Sequence, residues 1–348
     1  MRIYERLCVL ACCIMLGLGS ASPASASDVN FVSPEAAQEQ GVGAYRLGQY
    51  ALALPALDFA ARHGLFFGQY YLAQIYADNA SAYTDHGKAY DLFRRIVEEN
   101  ANADPDDDQR AAYVGKALTA VAGYTRSGLP EIGLAANPER AAGFYRQAAT
   151  FFRDADAQFE LAKMHLKGDG VMQDRQLAFH WLATLTQEGH AGAQAFLADL
   201  LWRGKDLPKD EKRALALISV AVANASEADR IWIEDIYQNI YCGASAGTRQ
   251  QAEGLVAVWS RLYASRAGTE QGERMGLGLS ERTCSNGETL PAPVREGLAR
   301  QGFTPDARSD GPARGARPVV GPREGMLQGG AASGAAPGGY REIGAAQR

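Results

Sequence analysis

An all-α stack of helical hairpins, an α-solenoid, is predicted by three observations. The first is self-similarity: Gln158 to Gly168 (QFELAKMHLKG) and Gln194 to Gly204 (QAFLADLLWRG) match at an offset of 36, and Asp174 and Ala178 recur as Asp210 and Ala214 at the same offset. Internal periods of this length mark arrays of supersecondary units. The second is a fixed pair, an Asp or Asn four residues before an alanine, at Asp85/Ala89, Asn137/Ala141, Asp174/Ala178 and Asp210/Ala214. The short side-chain oxygen is suited to accept a first-turn amide and start the second helix of a hairpin, and the small alanine lets the two helices cross. The third is glycine at the ends of first helices, as at Gly168 and Gly204, where a left-handed residue stops a helix.

Taken in order, residues 1–26 carry Arg2 and Arg6, an apolar run from Leu7 to Gly19 and Ala24-Ser25-Ala26. That pattern predicts a cleaved export signal, hence a periplasmic protein with no later membrane insertion. Ser33-Pro34 offers a cap and a first-turn proline, so the array begins near residue 33 and is expected to run to 225. Its first hairpin turns on Leu47-Gly48-Gln49. The next ones start from Leu72-Ala73 and Val121-Ala122, before the two repeats at the 36-residue offset. Residues 226–264, with Ile231, Trp232, Ile236, Tyr237 and Ile240 and then RQQAEGLVAVWSRLYA, are expected to form a capping hairpin. Residues 265–303 are read as a partly ordered extension. The Gly, Ala, Pro and Arg of 304–348 predict a disordered tail, because few large apolar side chains are available to offset the entropy of ordering.

The stretch Gly168 to Trp181 (GDGVMQDRQLAFHW) invites a phosphate or metal reading, which its context opposes. A phosphate loop follows a strand and opens a helix, whereas the preceding segment here has helical periodicity. A calcium loop needs more alternating carboxylates than Asp169 and Asp174. An elbow explains each residue: Gly168 ends a helix, Gly170 turns the chain, Val171 packs beneath and Asp174 caps the next helix. The twin at 204–210 (GKDLPKD) keeps Gly204 and Asp210, with Leu207-Pro208 in place of the middle glycine, while residues 79–86 (NASAYTDH) have no glycine at all.

Bulk properties narrow the function. The formal net charge of the 348 residues is -5, which disfavours nucleic-acid backbones and anionic membrane surfaces. No nucleophile elbow, nucleotide loop or histidine spacing suited to a metal is present, so no enzyme, cofactor or metal is expected. Of the five cysteines, Cys242 and Cys284 lie outside the leader, and an oxidising compartment would favour their pairing.

The pattern Leu-Ala-x-x-x-x-x-Gly-x-Gly-Val-x-x-Asp-x-x-x-Ala-x-x-Trp-Leu, ending Gly189-His190-Ala191, resembles the Sel1-like repeat, a relative of the tetratricopeptide repeat. That resemblance implies a binding scaffold. The order of Ala44-Tyr-Arg-Leu-Gly-Gln, Ala73-Gln-Ile-Tyr-Ala-Asp78, Ala142-Gly-Phe-Tyr-Arg-Gln-Ala-Ala149 and Ala155-Asp-Ala-Gln-Phe-Glu-Leu-Ala162 is similar to the ExoR family of periplasmic regulators. It implies a negative regulator of exopolysaccharide production that holds off a membrane sensor histidine kinase through its periplasmic domain. The alternatives are a structural scaffold for envelope or polysaccharide-export assembly and, further off, an envelope hydrolase.

By analogy with tetratricopeptide geometry, partner-binding residues stand two before, two after and five after each Leu-Ala leucine or valine. The selection is Tyr70, Gln74, Arg126, Phe159, Lys163, Asp199 and Trp202. His165, in the slot held by Tyr76 and Leu201 in other repeats, is expected to be packed and to be an acid-sensitive weak point.

Overall fold

The computed structural model describes residues 31–106, 108–226, 228–264 and 282–291. All lie in one compact unit, Met1–Glu296; a second unit, Gly297–Arg348, falls outside them. The expected leader, most of the extension and the tail therefore also lie outside the described residues.

Twelve α-helices occur among the described residues. They are α1 (Pro34–Arg46), α2 (Tyr50–Arg62), α3 (Phe66–Ala77), α4 (His86–Glu99), α5 (Ala111–Ser127), α6 (Pro138–Thr150), α7 (Ala155–Lys167), α8 (Arg175–Gln187), α9 (Ala191–Arg203), α10 (Glu211–Asn224), α11 (Arg230–Gly243) and α12 (Ala246–Leu262). Consecutive helices pack as hairpins, and first helices also meet across hairpins as α1–α3, α5–α7 and α9–α11. This is the nearest-neighbour packing of an α-solenoid.

The caps form where the sequence puts them. Asp85, Asn137, Asp174 and Asp210 accept the backbone N–H of Lys88, Arg140, Leu177 and Arg213, and Ser33 does the same for Ala36. Alanines 89, 141, 178 and 214 are fully buried at the crossings. A feature that side chains do not announce also recurs. The cap's own N–H donates back to the first helix, from Asp85 to Tyr76 O, Asn137 to Thr125 O, Asp174 to His165 O and Asp210 to Leu201 O, at 2.8–3.0 Å. Every elbow is thus closed by one backbone bond, whatever its length.

The elbows differ in how they turn. Gly168 and Gly170 adopt left-handed backbone as expected, and Val171 packs against the core. In the twin elbow it is Asp206, not Leu207-Pro208, that replaces the middle glycine: its φ is 66°, and Arg175 holds its carboxylate at 2.9 Å. The glycine-free elbow is built from side chains. Asp78 accepts the Ala80 N–H and the Tyr50 hydroxyl, Thr84 donates towards the carbonyls of Asp78 and Ser81, and His86 lies between Tyr124 Oη at 3.0 Å and Asn79 Oδ1 at 3.1 Å.

The end of the array departs from a simple closing hairpin. Helix α12 folds back principally onto α10. The reason is α10 itself, where Leu215, Leu217, Ile218, Val220 and Val222 are buried in succession, too many for one face. Helices α9, α11 and α12 all cover it. Gln194, fully buried, donates to Tyr263 O at the end of α12 and accepts from Asn224, which bonds the same carbonyl, tying the last hairpins together. Residues 282–291 form a small turn laid on α11 and α12. Cys242 and Cys284 are joined by a disulfide, Gln238 donates to Thr283 O, Arg282 meets Asp235, and Arg249 meets Glu288.

Candidate functional site

Along a first helix of this array, positions -5, -1, +2 and +6 from the leucine share one stripe by 3.6-residue periodicity, and positions -2 and +1 turn into the core. The structure follows this division. In α3 the -2 residue, Tyr70, is 5% exposed, enclosed by the rings of Tyr71, Phe93 and Tyr113. Burial raises the pKa of its hydroxyl. In α7 the -2 residue, Phe159, is also buried, against the rings of His190 and Phe196. These two predicted partner residues are core residues. The +2 residues Gln74, Lys163 and Asp199 are half-buried and lie on the stripe. The +5 residues serve packing between hairpins: Trp202 covers Gly243 of α11, and Arg126 is drawn to the next elbow.

Two grooves and an ion cluster occupy the face made by α1, α3, α5, α7 and α9. The first groove, about 420 Å³, is lined by Val42, Gly43 and Arg46 of α1, Phe67 and Tyr71 of α3, and Tyr113 of α5, with Gln38 and Glu39 at its edge. Phe67 and Tyr113 meet edge to face with centroids 5.1 Å apart, and the Tyr71 ring lies tilted against Tyr45 at 4.9 Å. Tyrosine and arginine over an apolar floor are the side chains most enriched at the centres of protein interfaces. Sequence selection missed this groove by taking Tyr70 where the neighbouring Tyr71 faces it. The available signal was the i, i+4 pair Phe67/Tyr71.

In the cluster, Arg126 bonds Asp169 of the elbow at 2.6 Å and Glu160 of α7 at 3.2 Å. Lys163 reaches Glu160 at 2.5 Å and stands 4.3 Å over the Phe159 ring. The structure thus joins the predicted residues Arg126 and Lys163 through Glu160, and links α5, α7 and the elbow. The second groove, about 470 Å³, lies between α7 and α9 beside both glycine elbows and includes Asp199. At the start of α9, His190 caps the helix by accepting the Ala193 N–H, and its other ring nitrogen meets Asp156 at 3.0 Å. That bond holds the Asp156 carboxyl below its usual pKa.

His165 is not packed. It is half-buried, with Nδ1 donating to Met172 O at 3.2 Å, so the premise of an enclosed imidazole fails. Its slot lies at a helix end beside the elbow, and what Tyr76, His165 and Leu201 share there is the backbone carbonyl that closes the turn. Among the described residues no group of three or more His, Cys, Asp or Glu stands close enough to hold a metal ion, and no helix is long and apolar enough to cross a membrane.

The Sel1 repeat family matches residues 117–150, 155–190 and 191–224, which span α5/α6, α7/α8 and α9/α10. An exopolysaccharide production negative regulator of Rhizobium meliloti (strain 1021) is 29% identical over 252 residues, 71% of this chain and 91% of that protein. One of the same description from Rhizobium leguminosarum bv. viciae is 28% identical over 218 residues, 62% of this chain and 78% of the relative. A solved protective antigen of uropathogenic Escherichia coli with an SLR fold is 23% identical at a TM-score of 0.48; the match covers 72% of this chain and 50% of that one.

Proposed function

Because the chain is a Sel1-repeat protein similar to negative regulators of exopolysaccharide production, we propose that it is itself such a regulator. It acts in the periplasm, after removal of residues 1–26, by laying its first-helix face against the periplasmic domain of a membrane sensor histidine kinase. It performs no catalysis. The observation that carries this reading is the groove of Phe67, Tyr71 and Tyr113 beside Arg46, open along three successive first helices. The Cys242–Cys284 bridge accords with an oxidising compartment.

The test uses Gly43. A Cβ there has no neighbour within 4 Å, so Gly43→Arg fills the groove without disturbing the helix. Deleting the gene is expected to raise exopolysaccharide output, wild-type protein to restore it, and Gly43→Arg to fail while accumulating normally. Unchanged output in the deletion strain would end the regulatory reading.

A further inference from the structure

The second groove has a chemistry of its own. Its floor is apolar, formed by Leu166 of α7 and Phe196 and Leu200 of α9. Around it stand four cations, Lys167, Arg175, Arg203 and Lys205, in a chain whose formal net charge is -5. The two carboxylates at the rim are already engaged, Asp199 by Arg203 at 2.8 Å and Asp206 by Arg175 at 2.9 Å. Lys167 and Lys205 are exposed and have no ion-pair partner among the described residues. The rim therefore carries two unpaired positive charges over an apolar floor.

We propose that this groove receives an acidic segment of a partner protein carrying one large apolar side chain. The apolar side chain is buried on Leu166, Phe196 and Leu200, and flanking Asp or Glu residues meet Lys167 and Lys205. Phe196, half-buried beside the already buried Leu166 and Leu200, gains from being covered by an aliphatic or aromatic group, which a uronate polymer does not supply. The charges set register and orientation, since exposed pairs steer more than they bind. This rests on the reading of the chain as a protein-binding module, and adds the chemistry of what it binds.

The test is selection of a random 12-residue peptide library on the exported chain, residues 27–348, in parallel with Lys167→Glu/Lys205→Glu. The expected result is enrichment of sequences with Asp or Glu on both sides of Leu, Ile or Phe. A synthetic consensus peptide should bind about tenfold more weakly to the double variant, the loss for exchanging two attractive exposed pairs for repulsive ones, and more weakly as salt is raised. Lys167→Ser/Lys205→Ser should show a smaller loss, and equal thermal midpoints exclude unfolding as its cause. Peptides without acidic residues, equal retention by the double variant, or lysine-dependent binding of polygalacturonate without peptide enrichment would each overturn the proposal. If the double variant still represses exopolysaccharide as wild type does, and the wild-type chain enriches no acidic peptides or the double variant retains them equally, the groove assignment falls and the regulatory reading stands. Unchanged output on gene deletion has the opposite consequence.

Discussion

Replacing Gly170 by Ala tests the elbow geometry on which the register of the hairpins depends. Gly170 has φ 67°, and a Cβ there would stand 2.4 Å from the carbonyl carbon and oxygen of Pro138, at the start of α6. The left-handed backbone costs an alanine about 1–2 kcal/mol, offset by about 0.4–1 kcal/mol of lost freedom in the unfolded chain. Overlap with a neighbouring backbone adds roughly 1–3 kcal/mol, since the start of α6 cannot retreat without moving its hairpin. The expected total is about 2–4 kcal/mol. Gly48 is the control: its φ is 70° but a Cβ there meets nothing within 4 Å, so Gly48→Ala should lose only about 0.5–1 kcal/mol. Asp206→Gly, at the equivalent position of the twin elbow, should be nearly neutral, because relieved strain offsets the lost Arg175 pair. Urea unfolding followed by circular dichroism and by tryptophan fluorescence reads all three, the two probes showing whether the hairpins unfold together. Equal midpoints for the Gly170 and Gly48 variants would refute the argument that the two hairpins meet at Gly170.

Three further outcomes follow from the packing. Arg126→Ala leaves Glu160 and Asp169 facing each other without their shared cation and should lower stability by about 1–2 kcal/mol, with part of the loss recovered at high salt. Asp154 caps α7 from a buried position, and desolvation raises its pKa despite the lowering bonds from Ala157 N–H and the Thr119 hydroxyl. A raised folded pKa makes its contribution full below the unfolded value near ~3.9 and lost as pH rises through the folded value. Asp154→Asn should therefore be more stable than wild type at pH 7, and the difference should shrink as urea midpoints are measured at progressively lower pH. Reducing the Cys242–Cys284 bridge, which closes a separation of 42 residues, removes at most about 4 kcal/mol on the chain-entropy scale. Its expected sign is rapid tryptic cleavage at Arg282 while amide protection in α1–α8 persists.

Backbone-level features were legible wherever one residue type has one physical reason to be present. The capping Asp and Asn residues, the buried alanines and Gly168 all fall in this class, and together they locate four elbows without any structure. Less legible was anything set by rotation about a helix axis. Tyr70 and Tyr71 are adjacent in sequence, yet about 100° of helical turn puts one in the core and the other in a groove. Composition cannot separate two tyrosines. Asp206 escaped notice because aspartate tolerates left-handed backbone only with local help, and the help, Arg175, lies 31 positions away. His165 misled because its slot is defined by a carbonyl, which every residue carries. The fold-back of α12 onto α10 was foreshadowed by the apolar excess of α10, a signal visible in LALISVAV and not weighed against the hairpin pattern.

Amide exchange on residues 27–348, alone and mixed with the purified periplasmic domain of the sensor kinase proposed as its partner, addresses the central claim most directly. The account predicts slowed exchange in α1, α3 and α5, with α2, α4 and α6 unaltered, and loss of that pattern in Gly43→Arg. Slowing confined to the second helices, or to the 282–291 turn, would contradict it.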